Sequence, residues 1–140
     1  MLKAAICDDD QPIREYLKEL IEKRTKAEVS TFASGEEFLR SESHTAYDII
    51  LLDISLDKAD DTNSLNGLDV ARRIRETSDA IIIFVTALKE YVFEGYDVGA
   101  FNYLLKPIDE QKFIEVMDKA IEQINRKKPT EPLLIKTEGS

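Results

Sequence analysis

The stretch Tyr47–Ile54, YDIILLDI, decides how the rest of the chain is read. Its apolar residues are nearly unbroken, and the run closes on Asp53. A strand with one wet face alternates apolar and polar residues. An unbroken run marks burial on both faces, the usual state in a parallel sheet. AIIIFVTA (Ala80–Ala87) and AFNYLL (Ala100–Leu105) have the same character. Leu2–Cys7 is short, apolar and abruptly ended, and Ala27–Phe32 reads as a further strand.

Helical spacing fills the intervals between these runs. Pro12 opens a segment in which Ile13, Leu17, Leu20 and Ile21 recur on one side, with Asp10 or Gln11 as its cap. SGEE (Ser34–Glu37) fits a capping box ahead of Phe38 and Leu39. Gly67–Glu76 places Leu68, Ala71 and Ile74 together, and a further helix is expected over Lys89–Val98. In the last helix Phe113, Val116, Met117, Ala120, Ile121 and Ile124 follow spacings of three and four, which predicts a core stripe rather than a cofactor box. Strand and helix thus alternate five times. The expected architecture is α/β, a doubly wound five-stranded parallel sheet with five helices covering both faces.

Composition narrows the function. The 140 residues are 43% hydrophobic and 34% charged, enough for one cored domain and a short tail. A net charge of −9 argues against this chain gripping nucleic acid or an anionic membrane surface. Cys7, the single cysteine, cannot form an internal disulfide and reads as a small buried residue. With no secretory or membrane-spanning pattern, the chain is expected to be cytoplasmic. The domain is expected to occupy residues 1–126. NRKKPTEP (Asn125–Pro132) reads as a linker, so residues 127–140 are expected to be that linker and the start of a truncated C-terminal domain.

In an open parallel sheet, ligands collect beyond the carboxyl ends of the strands, where strand order reverses. Asp8 and Asp9 end the first strand, Asp53 the third, Thr86 the fourth and Lys106 the fifth. Three carboxylates, a hydroxyl and an ammonium would therefore meet on one edge. Hard oxygen ligands suit Mg²⁺, which takes one or two carboxylates and keeps positions for water and phosphate oxygens. Beside such an ion one carboxylate can act as nucleophile toward phosphorus. Lys106 offers a point charge and Thr86 a hydroxyl for the phosphoryl oxygens.

These residues in this order resemble a two-component response-regulator receiver domain, of the flavodoxin-like receiver type, over about residues 2–126. The resemblance rests on Asp8 and Asp9, Asp53, the Thr86–Ala87 pair and the Lys106–Pro107 pair. It implies that Asp53 is the phosphoacceptor, receiving its phosphoryl group from a sensor histidine kinase. It implies that Asp9 and Asp53 ligate Mg²⁺, with Asp8 helping through water and Ser55 offering its backbone carbonyl. Thr86, Ala87 and Lys106 would hold the phosphoryl group, and Lys106–Pro107 would be a cis peptide bond. Thr86 and Tyr103 would form the switch, read out on the fourth helix, fifth strand and fifth helix, the face through which a homodimer is expected. The implied activity is a self-phosphorylating and dephosphorylating switch, not a turnover enzyme.

One departure stands out. The family follows its acceptor with a Met-Pro pair and a turn glycine eight residues on; here SLDKADDTNSLNG intervenes and Gly67 stands fourteen residues after Asp53. That insertion includes Asp57, Asp60 and Asp61, read as a solvated loop, as His44 is read as a surface residue. YVFEGYDVGAFNYLLKPI (Tyr91–Ile108) is more narrowly similar to LytTR-type regulators, and LLIKTEG (Leu133–Gly139) resembles the opening strand of their DNA-binding domain. This implies a full-length transcription regulator that binds DNA through a part missing here. Two alternatives stay open at the level of residues. Asp8 and Asp10 sit two apart, as in Mg-dependent aspartyl-nucleophile phosphatases, and a pseudo-receiver would keep the fold without taking phosphate.

Overall fold

The computed structural model describes residues 2–41, 46–54, 66–87 and 99–126. Five strands, β1 (Lys3–Cys7), β2 (Glu28–Phe32), β3 (Ile49–Leu52), β4 (Ile81–Thr86) and β5 (Asn102–Leu105), form one sheet. The order is β2-β1-β3-β4-β5, and every pairing is parallel. Each strand sits inside the apolar run that announces it, shortened by at most two residues at an end. Strand order reverses between β1 and β3, whose register sets Cys7 beside Leu52.

Alternate residues serve the two faces. Ala5, Cys7, Ile50, Leu52, Ile82 and Phe84 belong to one buried cluster with Phe38, Leu68, Ala71 and Ile74. Phe38 comes from α2 (Gly35–Arg40) and the last three from α3 (Gly67–Arg75). The intervening residues Ala4, Ile6, Ile49, Leu51, Ile83 and Val85 are equally buried. On their side of β1 and β2 lies α1 (Gln11–Arg24), which buries Leu17, Leu20 and Ile21. Burying such a side chain is worth roughly 1.5–3 kcal/mol, so these stripes hold each helix more firmly than its propensity.

The helix starts follow their capping residues. Asp10 caps α1, accepting from the Ile13 amide at 3.3 Å, with Pro12 in the first turn where no donor is needed. Ser34 caps α2, and Glu37 reaches back to the Ala33 amide at 2.9 Å, one residue outside the expected box. Asn66 and Asp69 form a reciprocal capping box on α3.

The chain divides after Ile108 into two units. Of the second, the described part is α4 (Glu110–Arg126), whose buried residues are Phe113, Val116, Met117, Ala120 and Ile124. Ile121 is only half-buried, which corrects its expected place in the core. One step beyond Ala120 it is turned about 100° from that residue, so it borders the face. Four helices are found among the described residues. The fifth expected one, Lys89–Val98, lies outside them, as do His44, the inserted segment at 55–65 and the tail 127–140. No helix among the described residues is long and apolar enough to cross a membrane.

Candidate functional site

The carboxyl ends of β1 and β3 flank the point of strand reversal, and the chain places its acidic residues there. Asp53 donates its amide to the Cys7 carbonyl at 3.0 Å, extending the β1–β3 ladder one step and standing Asp53 next to Asp8. One carboxylate oxygen from each of Asp8, Asp9 and Asp53 lies within 4.8 Å of the others. Asp8 and Asp53 are buried, at 1% and 3% exposure, while Asp9 is half-buried.

Lys106 comes from the end of β5, where its amide donates to the Thr86 carbonyl at 3.0 Å. Its ammonium donates to Asp53 Oδ2 at 2.9 Å and lies 2.8 Å from Asp8 Oδ2. The second contact is an ion pair, so one ammonium serves a buried oxygen of each carboxylate. The other Asp8 oxygen, Oδ1, accepts from the Asp10 amide at 2.9 Å.

Titration follows from this crowding. Burial pushes the Asp8 carboxyl above its ordinary value. The Lys106 contact and the Asp10 amide pull it down, and the Asp53 charge adds a further push up. For Lys106, burial works to lower the ammonium, but contacts with Asp8 and Asp53 outweigh it and leave the group above the usual lysine value. The Cys7 thiol next door is held well above its usual value, chiefly by burial and then by the charges of Glu37 and Asp8, so it is an inert core group.

The remaining expected residues are placed as follows. Thr86 is fully buried at the end of β4, and Ala87 after it is exposed. The Lys106–Pro107 peptide is cis. Tyr103 is 7% exposed and stacks on Phe84, ring centroids 5.4 Å apart. Ser55 lies outside the described residues. Gly67, fourteen residues past the acceptor in sequence, is adjacent to it in space: a Cβ added there would collide with the Asp53 carbonyl oxygen and stand 2.7 Å from Ile54 Cα. No side chain fits, so the first turn of α3 can abut the end of β3 only through glycine. Sequence spacing alone had shown only a displaced turn glycine.

Arg14 was not foreseen at all. Its Nη1 donates to the Asp8 carbonyl at 2.7 Å. An arginine in the first turns of an amphipathic helix carries no pattern that distinguishes it from a surface residue.

The donor set of three converging carboxylates fits a hard divalent cation. Reversal of strand order at this acidic centre defines the flavodoxin-like receiver fold. A model of the response regulator receiver domain matches residues 4–118, and the chain belongs to that family. The sensory transduction protein LytT of Bacillus cereus is 32% identical over 121 residues, covering 85% of this chain and 47% of LytT. The transcriptional regulatory protein YpdB of Escherichia coli K12 is 32% identical over 120 residues, 84% of this chain and 47% of YpdB. The chain therefore spans about half the length of the curated relatives it matches. The response regulatory domain of mrkE from Klebsiella pneumoniae superposes with a TM-score of 0.80 at 29% identity, covering 89% of this chain and 99% of that domain.

Proposed function

We propose that Asp53 accepts a phosphoryl group from a sensor histidine kinase, with Mg²⁺ held by Asp8, Asp9 and Asp53. The observation that carries this reading is the convergence of those carboxylates within 4.8 Å, with Lys106 touching both Asp8 and Asp53. A bound divalent cation supplies charge neutralisation for the acidic cluster and for the incoming phosphoryl oxygens. An Asp53 oxygen attacks phosphorus, and the bond to the kinase imidazole breaks as the new P–O bond forms. Lys106 turns from its carboxylate partners to one phosphoryl oxygen, and the Thr86 hydroxyl and the Ala87 amide donate to others. The Ser55 carbonyl would add a further oxygen ligand for the cation.

The product biases a two-state equilibrium. Thr86, drawn toward the new charge, vacates space that Tyr103 on β5 fills, which alters the face used for homodimerisation. The chain acts as a switch that gains and loses its own phosphoryl group, without turning over a separate substrate. Residues 1–126 form the receiver, and 127–140 lead into a LytTR-type DNA-binding domain that makes the full-length protein a cytoplasmic transcription regulator. The names of LytT and YpdB support that output.

Intact mass after incubation with acetyl phosphate and Mg²⁺ tests the acceptor. Wild type gains one phosphoryl group, while Asp53→Asn and an EDTA-treated sample gain none. Mass added to both proteins, or to neither, overturns the assignment. Beryllofluoride-treated protein is expected to dimerise in sedimentation; a sample that stays monomeric at high concentration removes the dimer.

A further inference from the structure

Asp8 is held at its amide, its carboxylate and its carbonyl, besides its ion pair with Lys106. Its amide donates to the Phe32 carbonyl at 3.1 Å, its Oδ1 accepts from the Asp10 amide at 2.9 Å, and its carbonyl accepts from Arg14 Nη1 at 2.7 Å. The last contact lies where the ladder has run out. Cys7, the final residue of β1, gives its carbonyl to the Asp53 amide, whereas the Asp8 carbonyl beyond it takes its donor from a side chain. We infer that Arg14 is a positioning residue for the acidic centre, acting through that carbonyl on Asp9.

A peptide unit is planar, so the carbonyl oxygen of Asp8 and the amide of Asp9 turn together. A donor that fixes the oxygen therefore fixes the direction in which the Asp9 backbone leaves, and with it the origin of the Asp9 carboxylate. Arg14 can set that direction because its own backbone is rigid. Its amide donates to the Asp10 carbonyl at 3.0 Å in the first turn of α1, and that helix is anchored by buried Leu17, Leu20 and Ile21. A guanidinium suits the task for two reasons. It stays charged at any working pH and reaches a carbonyl with a directed N–H, and its charge lies beside the peptide that joins two carboxylates. Groups that orient metal ligands in this way commonly matter to affinity as much as a ligand does.

This inference rests on the proposed cation site and is separable from it. Mg²⁺ affinity is measured by calorimetry on the 140-residue chain, alongside urea unfolding in EDTA. Three variants are compared with wild type: Arg14→Met, Arg14→Lys and Lys18→Met. Among the described residues Lys18 pairs with exposed Glu22 alone, at 3.0 Å on the same helix, so it controls for loss of one positive charge. Arg14→Met is expected to weaken Mg²⁺ binding about tenfold, with Arg14→Lys in between and Lys18→Met unchanged or slightly tighter. If Arg14→Met only lowers the urea midpoint while binding Mg²⁺ like Lys18→Met, or binds it more tightly, the positioning role is refuted. Wild type that binds no Mg²⁺ refutes the cation site itself, and the role of Arg14 falls with it.

Discussion

At the amino-terminal edge of the sheet, charge is spent on the backbone. The Lys3 amide donates to Asp48 Oδ2 at 3.0 Å, and Asp48 itself bridges β1 and β4 through its amide and carbonyl. Arg75 spreads its guanidinium over the carbonyls of Ser78, Ala80 and Gly99 at 3.3, 2.7 and 3.0 Å, tying the approach to β4 to the approach to β5. Gly99 accepts that closeness at φ +76, a backbone state that favours glycine. At the carboxyl-terminal edge the balance is different. Asp8, Asp9 and Asp53 crowd together, and the ion pairs described there run from one ammonium, Lys106, to two of them. Polar groups that serve the fold are matched to acceptors they satisfy. At the acidic centre like charges are instead gathered against their mutual repulsion, with Lys106 shared between two of them.

Four measurements can break that contrast, the largest effect first. Lys106→Met strands two buried carboxylates, and its loss of stability in EDTA should be about 3 kcal/mol. Millimolar Mg²⁺ should recover part of this in urea unfolding; an identical loss with and without the ion would mean the carboxylates do not share a cation. Arg75→Ala leaves three carbonyls short of a donor and should cost about 2 kcal/mol. Here the cost should be the same in EDTA and in Mg²⁺, and any dependence on the ion would show that the two edges are coupled.

The third measurement concerns pH. Burial holds the folded Asp8 carboxyl above 3.8, its ordinary value. Above pH 3.8 the unfolded chain has shed a proton that the folded chain still binds, so stability falls as pH rises through that window. Asp8→Asn should flatten this slope and raise the neutral-pH urea midpoint in EDTA; an unchanged slope would place the strain on another group. Lys106 contributes with the opposite limit. Its stabilisation is complete below its ordinary value of 10.5 and is lost only as pH climbs through the still higher folded value. Smallest of all is Arg72→Ala. The Arg72–Asp69 pair at 3.2 Å is 54% and 40% exposed. Its loss should move stability by no more than about 0.5 kcal/mol, which calibrates how little a surface pair adds beside either edge.

What could be read in advance follows from how each feature is encoded. Doubly buried strands write themselves as continuous apolar runs, so IILL and IIIFVT were legible without contacts. Because parallel strands all point one way, naming the residue after each run also located Asp8, Asp53 and Lys106 on a common edge. Helix starts were legible through Asp10 and Ser34, whose side chains act within three residues. Long-range reach was not. Arg14 and Arg75 act through flexible side chains on carbonyls, and any carbonyl accepts, so no residue pattern marks the target. Ile121 failed for a geometric reason, since membership of a helical stripe fades gradually across its border.

Gly67 has one more consequence. Its amide donates to the Ile54 carbonyl at 2.8 Å, so the backbone comes back to touch the place it departed from. With its two ends hydrogen-bonded to each other, a connecting segment of any length costs the fold only a logarithmic increment of entropy as it grows. Residues 56–65, which leave out both Ser55 and the Asn66 cap, can therefore be traded, shortened or replaced by a reporter peptide while Asp53 keeps its station. This neck works as a splice junction, at which lineage or engineer can dress the acidic centre without re-tailoring it.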